Sequence, residues 1–90
     1  MIYNIKFEKK ALKQFSNLDK NIQIKIKKWI DKNLYKNNNP RFLGKSLKGN
    51  FSEYWRYRVG DYRIITKIKD DELLILVIEI GHRKEIYKNK

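Results

Sequence analysis

Cysteine is absent from the 90 residues, which removes disulfides, a thiolate nucleophile and thiolate metal ligands at once. Histidine occurs once, at His82. A single histidine excludes the histidine pair of acid–base ribonuclease chemistry. With the acids scattered among lysines, it also leaves no ligand set for a catalytic metal. Neither a metal nor a cofactor is expected. Serine is scarce, and none of Ser16, Ser46 and Ser52 sits on a recognisable nucleophile elbow. No apolar run approaches the roughly 18 residues of a membrane span. The opening Met1-Ile2-Tyr3-Asn4 lacks the apolar core of a secretory leader. The expected setting is the cytoplasm, with no membrane partner. Acids are few as well: 10 against 22 Lys and Arg, a formal net charge of +12. Such a field draws polyanions without saying which.

What is present suffices for one globular domain over 1–90, with 41% hydrophobic residues including twelve aromatics. Lysine richness can reflect base composition of a genome, so the arginines are the more informative cations. Four of the five, Arg56, Arg58, Arg63 and Arg83, lie beyond residue 54.

Three of these fall in Tyr54–Arg63. Strict alternation there predicts a strand with Trp55, Tyr57 and Val59 on one face and Tyr54, Arg56 and Arg58 on the other. Gly60-Asp61 is a two-residue turn with Gly first, as a type II′ hairpin prefers. The return strand places Tyr62, Ile64, Thr66 and Ile68 against Arg63, Ile65, Lys67 and Lys69. The register sets Arg58 opposite Arg63, a like-charge pairing that weakens the ladder. An anion held between the guanidinium groups explains the arrangement; a solvated basic face is the competing reading.

The rest of the chain reads as support. Ile2–Phe7 alternates and forms a short first strand. Ala11, Leu12, Phe15 and Leu18 then recur at helical spacing, giving about three turns from Glu8. Asp19 is a candidate N-cap for a second helix from Lys20 to Leu34, striped by Ile22, Ile26, Trp29, Ile30 and Leu34. Its lysines, Lys25 and Lys28 among them, form either a solvated face or a docking surface for a large polyanion. Pro40 stops the helix region, and Arg41–Gly49 is an irregular connection carrying Lys45 and Lys48. After Lys69–Glu72 turns the chain, Leu73–Ile80 is an almost unbroken apolar run, as a central strand covered on both faces requires. Its register, and hence the direction of Glu79, is open. The expected fold is α+β: two N-terminal helices on one face of a mostly antiparallel four-stranded sheet, in the order β-α-α-β-β-β.

With metals, thiolates and serine triads excluded, the chemistry left is metal-free attack on a phosphodiester. Arginines grip the phosphate and stabilise transition-state charge, tyrosines stack on bases, and the 2′-OH of the RNA is the nucleophile. Leu47-Lys-Gly49, Trp55-Arg-Tyr-Arg-Val-Gly-Asp-Tyr-Arg63 and Gly81-His-Arg-Lys-Glu-Ile-Tyr87, in that order, resemble the RelE branch of the RelE/ParE toxin superfamily. The resemblance implies a toxin of a type II toxin–antitoxin pair that cuts mRNA in the ribosomal 30S A site, leaving a 2′,3′-cyclic phosphate. It places Arg56 and Arg58 at the basic positions of the second strand and Arg63 at the phosphate-gripping position. Arg83 matches the residue that protonates the leaving group, and Tyr87 the tyrosine that orients the substrate or, alternatively, closes the sheet. Where some members have Lys at position 58, this chain has Arg, a poor base, so charge stabilisation is its expected role. His82 is an added candidate for proton transfer, with a surface histidine as the alternative. Lys45, Lys48, Tyr54, Lys67, Lys25 and Lys28 complete the expected contacts to RNA and ribosome. The implied partner is an acidic RelB-like antitoxin that wraps the domain. The chain ends three residues after Tyr87, so the C-terminal helix of some relatives is not expected. A ParE-like gyrase inhibitor, acting by protein contact, is the second reading.

Overall fold

The computed structural model describes residues 2–47 and 53–84. The first strand, β1, is Asn4–Phe7, and its alternation leaves Ile5 and Phe7 packed on the core while Asn4 and Lys6 face water. Helix α1 spans Lys9–Ser16, two turns rather than three. It buries Ala11 fully and Phe15 partly, whereas Leu12 is 53% exposed and stands off the expected stripe. Helix α2, Lys20–Asn33, starts at Asp19 as expected, although the Asp19 side chain makes no capping hydrogen bond. Its buried stripe is Ile26 and Ile30, continued by Leu34 just past the end, with Ile22 and Trp29 partly buried beside it.

The remaining elements are strands: β2 (Lys45–Ser46), β3 (Tyr54–Val59), β4 (Tyr62–Lys69) and β5 (Leu74–His82), with a 3₁₀ turn at Asp70–Glu72 before β5. They join β1 in one sheet of order β1-β5-β4-β3-β2. The sheet therefore has five strands, not four. The additional one is the two-residue edge strand β2, which pairs Lys45 with Arg56 and Ser46 with Trp55. Two residues carry no periodicity, so nothing in the sequence of the 41–49 connection separates this strand from a loop. Strand β1 runs parallel to β5, from Asn4 opposite Leu74 to Phe7 opposite Val77, and every other pairing is antiparallel.

Both helices cover one face of this sheet. Ala11, Ile26, Ile30 and Leu34 meet Tyr57, Val59, Ile64, Ile75, Val77 and Ile80 in a single core. Strand β5 is central, between β1 and β4, but the helices cover only one of its faces, so it is not covered on both as expected: Ile75, Val77 and Ile80 are buried, while Leu74, Leu76 and Ile78 are only partly so. A bulge resolves its register: Ile65 pairs with Glu79 but Thr66 pairs with Val77, so one extra residue enters β5. Before the bulge Ile75 and Val77 face the helices; after it Ile80 does, and Glu79 lies on the other face beside Ile65. The backbone N–H of Ile80, at the bulge, is taken up by Gln14 Oε1 of α1 at 2.9 Å.

Candidate functional site

The face away from the helices carries the arginines, and the hairpin sets their register. Val59 pairs with Tyr62, and Arg58 stands directly opposite Arg63, across the Gly60-Asp61 turn. Gly60 has a φ of +61°, the conformation its position in the turn demands. The Gly60 carbonyl oxygen accepts from Arg58 Nε at 3.3 Å and from Arg63 Nη1 at 3.5 Å, so both guanidinium groups are drawn to the same bend. Arg63 Nη1 also reaches the Tyr62 carbonyl at 3.3 Å. Arg63 is only 8% exposed, whereas Arg58 is exposed. A Cβ built on Gly60 would stand 2.8 Å from Lys25 Nζ, so α2 brings Lys25 to the outside of the same turn.

The opposite wall comes from the connection before β2, which is held by side chains rather than by its own backbone ladder. Tyr57, fully buried, donates its hydroxyl to the Pro40 carbonyl, and Trp55 Nε1 donates to the Leu43 carbonyl at 2.6 Å. Arg41 binds Asp70 with both terminal nitrogens, at 2.9 and 3.0 Å, and lies 5.8 Å from the Trp55 ring centroid. Tyr3 donates to the same carboxylate at 2.6 Å. The Arg41 hydrogen bonds, then that of Tyr3, hold the Asp70 carboxyl below its ordinary range. The same bond to Asp70 raises the Tyr3 hydroxyl, and burial raises that of Tyr57. Gly44 then passes so close to β3 that a Cβ would sit 2.3 Å from the Arg56 carbonyl oxygen, and its φ of +79° is one that glycine tolerates.

Between these walls is a cleft of about 210 Å³ lined by Gly44, Lys45, Arg56, Arg58 and Arg63. Four cations converge there and none of the lining residues is acidic. A family model described as the ParE toxin of the type II toxin–antitoxin system matches residues 5–87. A RelE-like toxin protein of Escherichia coli is 32% identical over 85 residues, 93% of this chain and 86% of that protein. The mRNA interferase toxin RelE of Escherichia coli K12 is 28% identical over 90 residues, 97% of this chain and 92% of that protein. Among solved structures, the toxin–antitoxin complex RelBE2 from Mycobacterium tuberculosis matches with a TM-score of 0.76 at 20% identity, over 92% of this chain and 100% of the matched chain. The chain belongs to the RelE branch of the RelE/ParE toxin superfamily.

In this RelE-branch toxin the structure gathers Lys45, Arg56, Arg58 and Arg63, and it separates others. Tyr54 and Lys67 pair across β3 and β4 on the same face, two residues beyond Arg56, with Lys67 Nζ 5.6 Å from the Tyr54 ring centroid. Arg83 is exposed just past β5, and its backbone N–H donates to the Asp61 carbonyl at 2.8 Å, which ties that end to the hairpin turn. His82 pairs with Tyr62, the residue on the core side, and the two rings meet edge to face at 5.4 Å. Its Nδ1 accepts from the Lys84 backbone N–H at 3.2 Å, so the structure does not bring His82 into the cleft. Lys28 is exposed on α2. Lys48, Tyr87 and the C-terminal segment beyond it lie outside the described residues. Sequence reasoning missed Gly44 as a wall and Arg41 with Asp70 as the clamp behind it. Each acts on a residue twelve or more positions away, so no local pattern announces them.

Proposed function

We propose that this toxin is an mRNA interferase, a metal-free endoribonuclease that cuts messages in the ribosomal A site. The observation that carries the reading is the cleft itself: three guanidinium groups and one ammonium around a space with no lining carboxylate. Such a site suits a phosphodiester passing through a more highly charged transition state. The RNA 2′-OH gives up its proton to solvent and attacks the adjacent phosphorus, and the P–O5′ bond breaks with the 5′-oxygen gaining a proton, giving a 2′,3′-cyclic phosphate and a 5′-OH. Arg63, held at the hairpin bend, grips the non-bridging oxygens, Arg58 opposite it takes up the extra charge, and Arg56 holds the strand beside the scissile linkage. Arg83, beside the turn, donates to the departing 5′-oxygen. Tyr54 and Lys67 hold the flanking RNA, and Lys25 and Lys28 meet the ribosome. His82 is left out of the chemistry, because its ring stands against Tyr62.

Relatives with this fold are solved as toxin–antitoxin complexes, which supports a cognate antitoxin as the resting partner. An acidic segment is the complement of a +12 surface. The test is brief expression followed by mapping of transcript 5′ ends, with Arg63→Ala as control. Cuts confined to translated codons and lost in the variant are expected. Inhibition of gyrase supercoiling with no transcript cleavage would overturn the reading.

A further inference from the structure

The cations of the cleft are set in two rows, not in one cluster. Arg58 and Arg63 face each other across β3 and β4 next to the Gly60 bend. Arg56 and Lys45 face each other across β3 and β2, two residues further along β3. Two residues of strand advance about 6.7 Å, close to the separation of successive phosphates along an extended single strand. All four side chains line the same cleft. Drawing them onto one phosphate would crowd four like charges at a single point, whereas two phosphates let each row neutralise its own.

We propose that the cleft holds two consecutive phosphates of a single-stranded RNA, the scissile one at the Arg58/Arg63 row and its neighbour at the Arg56/Lys45 row. Strand β2 then has a purpose beyond finishing the sheet: it supplies the second cation of the outer row. Gly44 makes this possible, since only a residue without a side chain lets the chain approach Arg56 this closely. The inference rests on the phosphodiester reading of the cleft but not on cleavage.

The experiment titrates the full chain with 2′-O-methyl oligonucleotides lacking terminal phosphates, so that none can be cut. A dinucleotide has one linkage, a trinucleotide two and a tetranucleotide three. The second linkage should improve affinity about fivefold, beyond the statistical doubling from two registers. It should also steepen the salt dependence by about 0.7 in log–log slope. The third linkage should add much less. In Lys45→Met the gain from the second linkage should shrink by about half, and in Arg56→Ala/Lys45→Met to the statistical factor. Equal losses for dinucleotide and trinucleotide in either variant would overturn the proposal, as would a wild type that gains nothing from a second linkage. A glutamate peptide binding as tightly as the trinucleotide would overturn it too. A toxin that shows the two-phosphate pattern yet leaves programmed ribosomes uncut would keep this inference and lose the nuclease reading.

Discussion

Arg63 combines two properties that oppose each other: it is nearly buried, and it faces another arginine directly. A phosphate held in the cleft would add charge-assisted hydrogen bonds across that like-charge pair. Arg63→Ala should therefore lower single-turnover cleavage on programmed ribosomes on the order of 10²-fold or more. Arg63→Lys should recover only part, because an ammonium cannot present the planar fork. An alanine variant that cuts at the wild-type rate would remove Arg63 from the chemistry. Tyr57 is the matching test of support. Its hydroxyl is buried on the Pro40 carbonyl, and burial raises its pKa above the ordinary tyrosine value. The folded state thus holds this proton longer than the unfolded chain, so the stability it confers is intact below about pH 10 and lost as the pH rises beyond it. Tyr57→Phe should cost about 1–2 kcal/mol near neutrality, through the unsatisfied carbonyl, and should soften the alkaline unfolding limb. The arginine positions and their facing register were legible from alternation and a Gly-first turn. The burial of Arg63 was not, because alternation assigns a face and not the depth of cover over it.

At the level of elements, the hairpin β3–β4 is specified locally, and the wall opposite it is specified from a distance. The connection before β2 is fastened through Arg41 to Asp70, with Tyr3 on the same carboxylate and Trp55 on the Leu43 carbonyl. If this clamp acts on function, it acts through Lys45. Asp70→Asn should weaken cleavage several-fold in the wild type and have little further effect in a Lys45→Met background, the signature of coupled residues. Additive losses would mean that the clamp stabilises the fold without shaping the cleft. The pH dependence provides a second check. The Asp70 carboxyl is lowered by its partners, so its stabilisation is present above the usual carboxylate range and fades as the pH falls through the lowered value. Its side chain is 55% exposed, so solvent screening limits the contribution to about 1 kcal/mol. Asp70→Asn should flatten the acid limb of the stability curve and, since Asp70 also raises the Tyr3 hydroxyl, soften the alkaline limb slightly. The sequence could not reveal β2, because two residues have no period, nor the bulge in β5, because the run 74–78 is apolar at every position and leaves the direction of Glu79 open. It did reveal both helices and the long hairpin strands, whose stripes are long enough for a period to count.

On the scale of the whole molecule, the charge is large and its cations are matched to different degrees at different places. The Asp70–Glu72 turn at the far end of β4 lines a depression of about 360 Å³ with Glu53, but Arg41, Lys67 and Lys69 line it too, so four acids there meet three bases. The cleft beside Gly60 gathers four cations with no acid in its lining. The net charge was plain from composition, but which acids lie beside which bases depends on which turn closes which end of the sheet. A molecule whose cations gather in this way meets a polyanion with the cleft leading, and the effect belongs to encounter rather than to chemistry. The association rate constant with programmed ribosomes should fall steeply as salt rises, since exposed charges are screened beyond about 8 Å at physiological ionic strength. The cleavage rate of the preformed complex should change little over the same range, because a bound phosphate displaces the salt ions from the contacts it makes with Arg58 and Arg63. Stopped-flow binding and single-turnover cleavage, measured in parallel across salt, separate the two. If cleavage of the bound complex declined as steeply as capture, the arginines would be working as a solvated surface field, and the cleft would not be the site of the reaction.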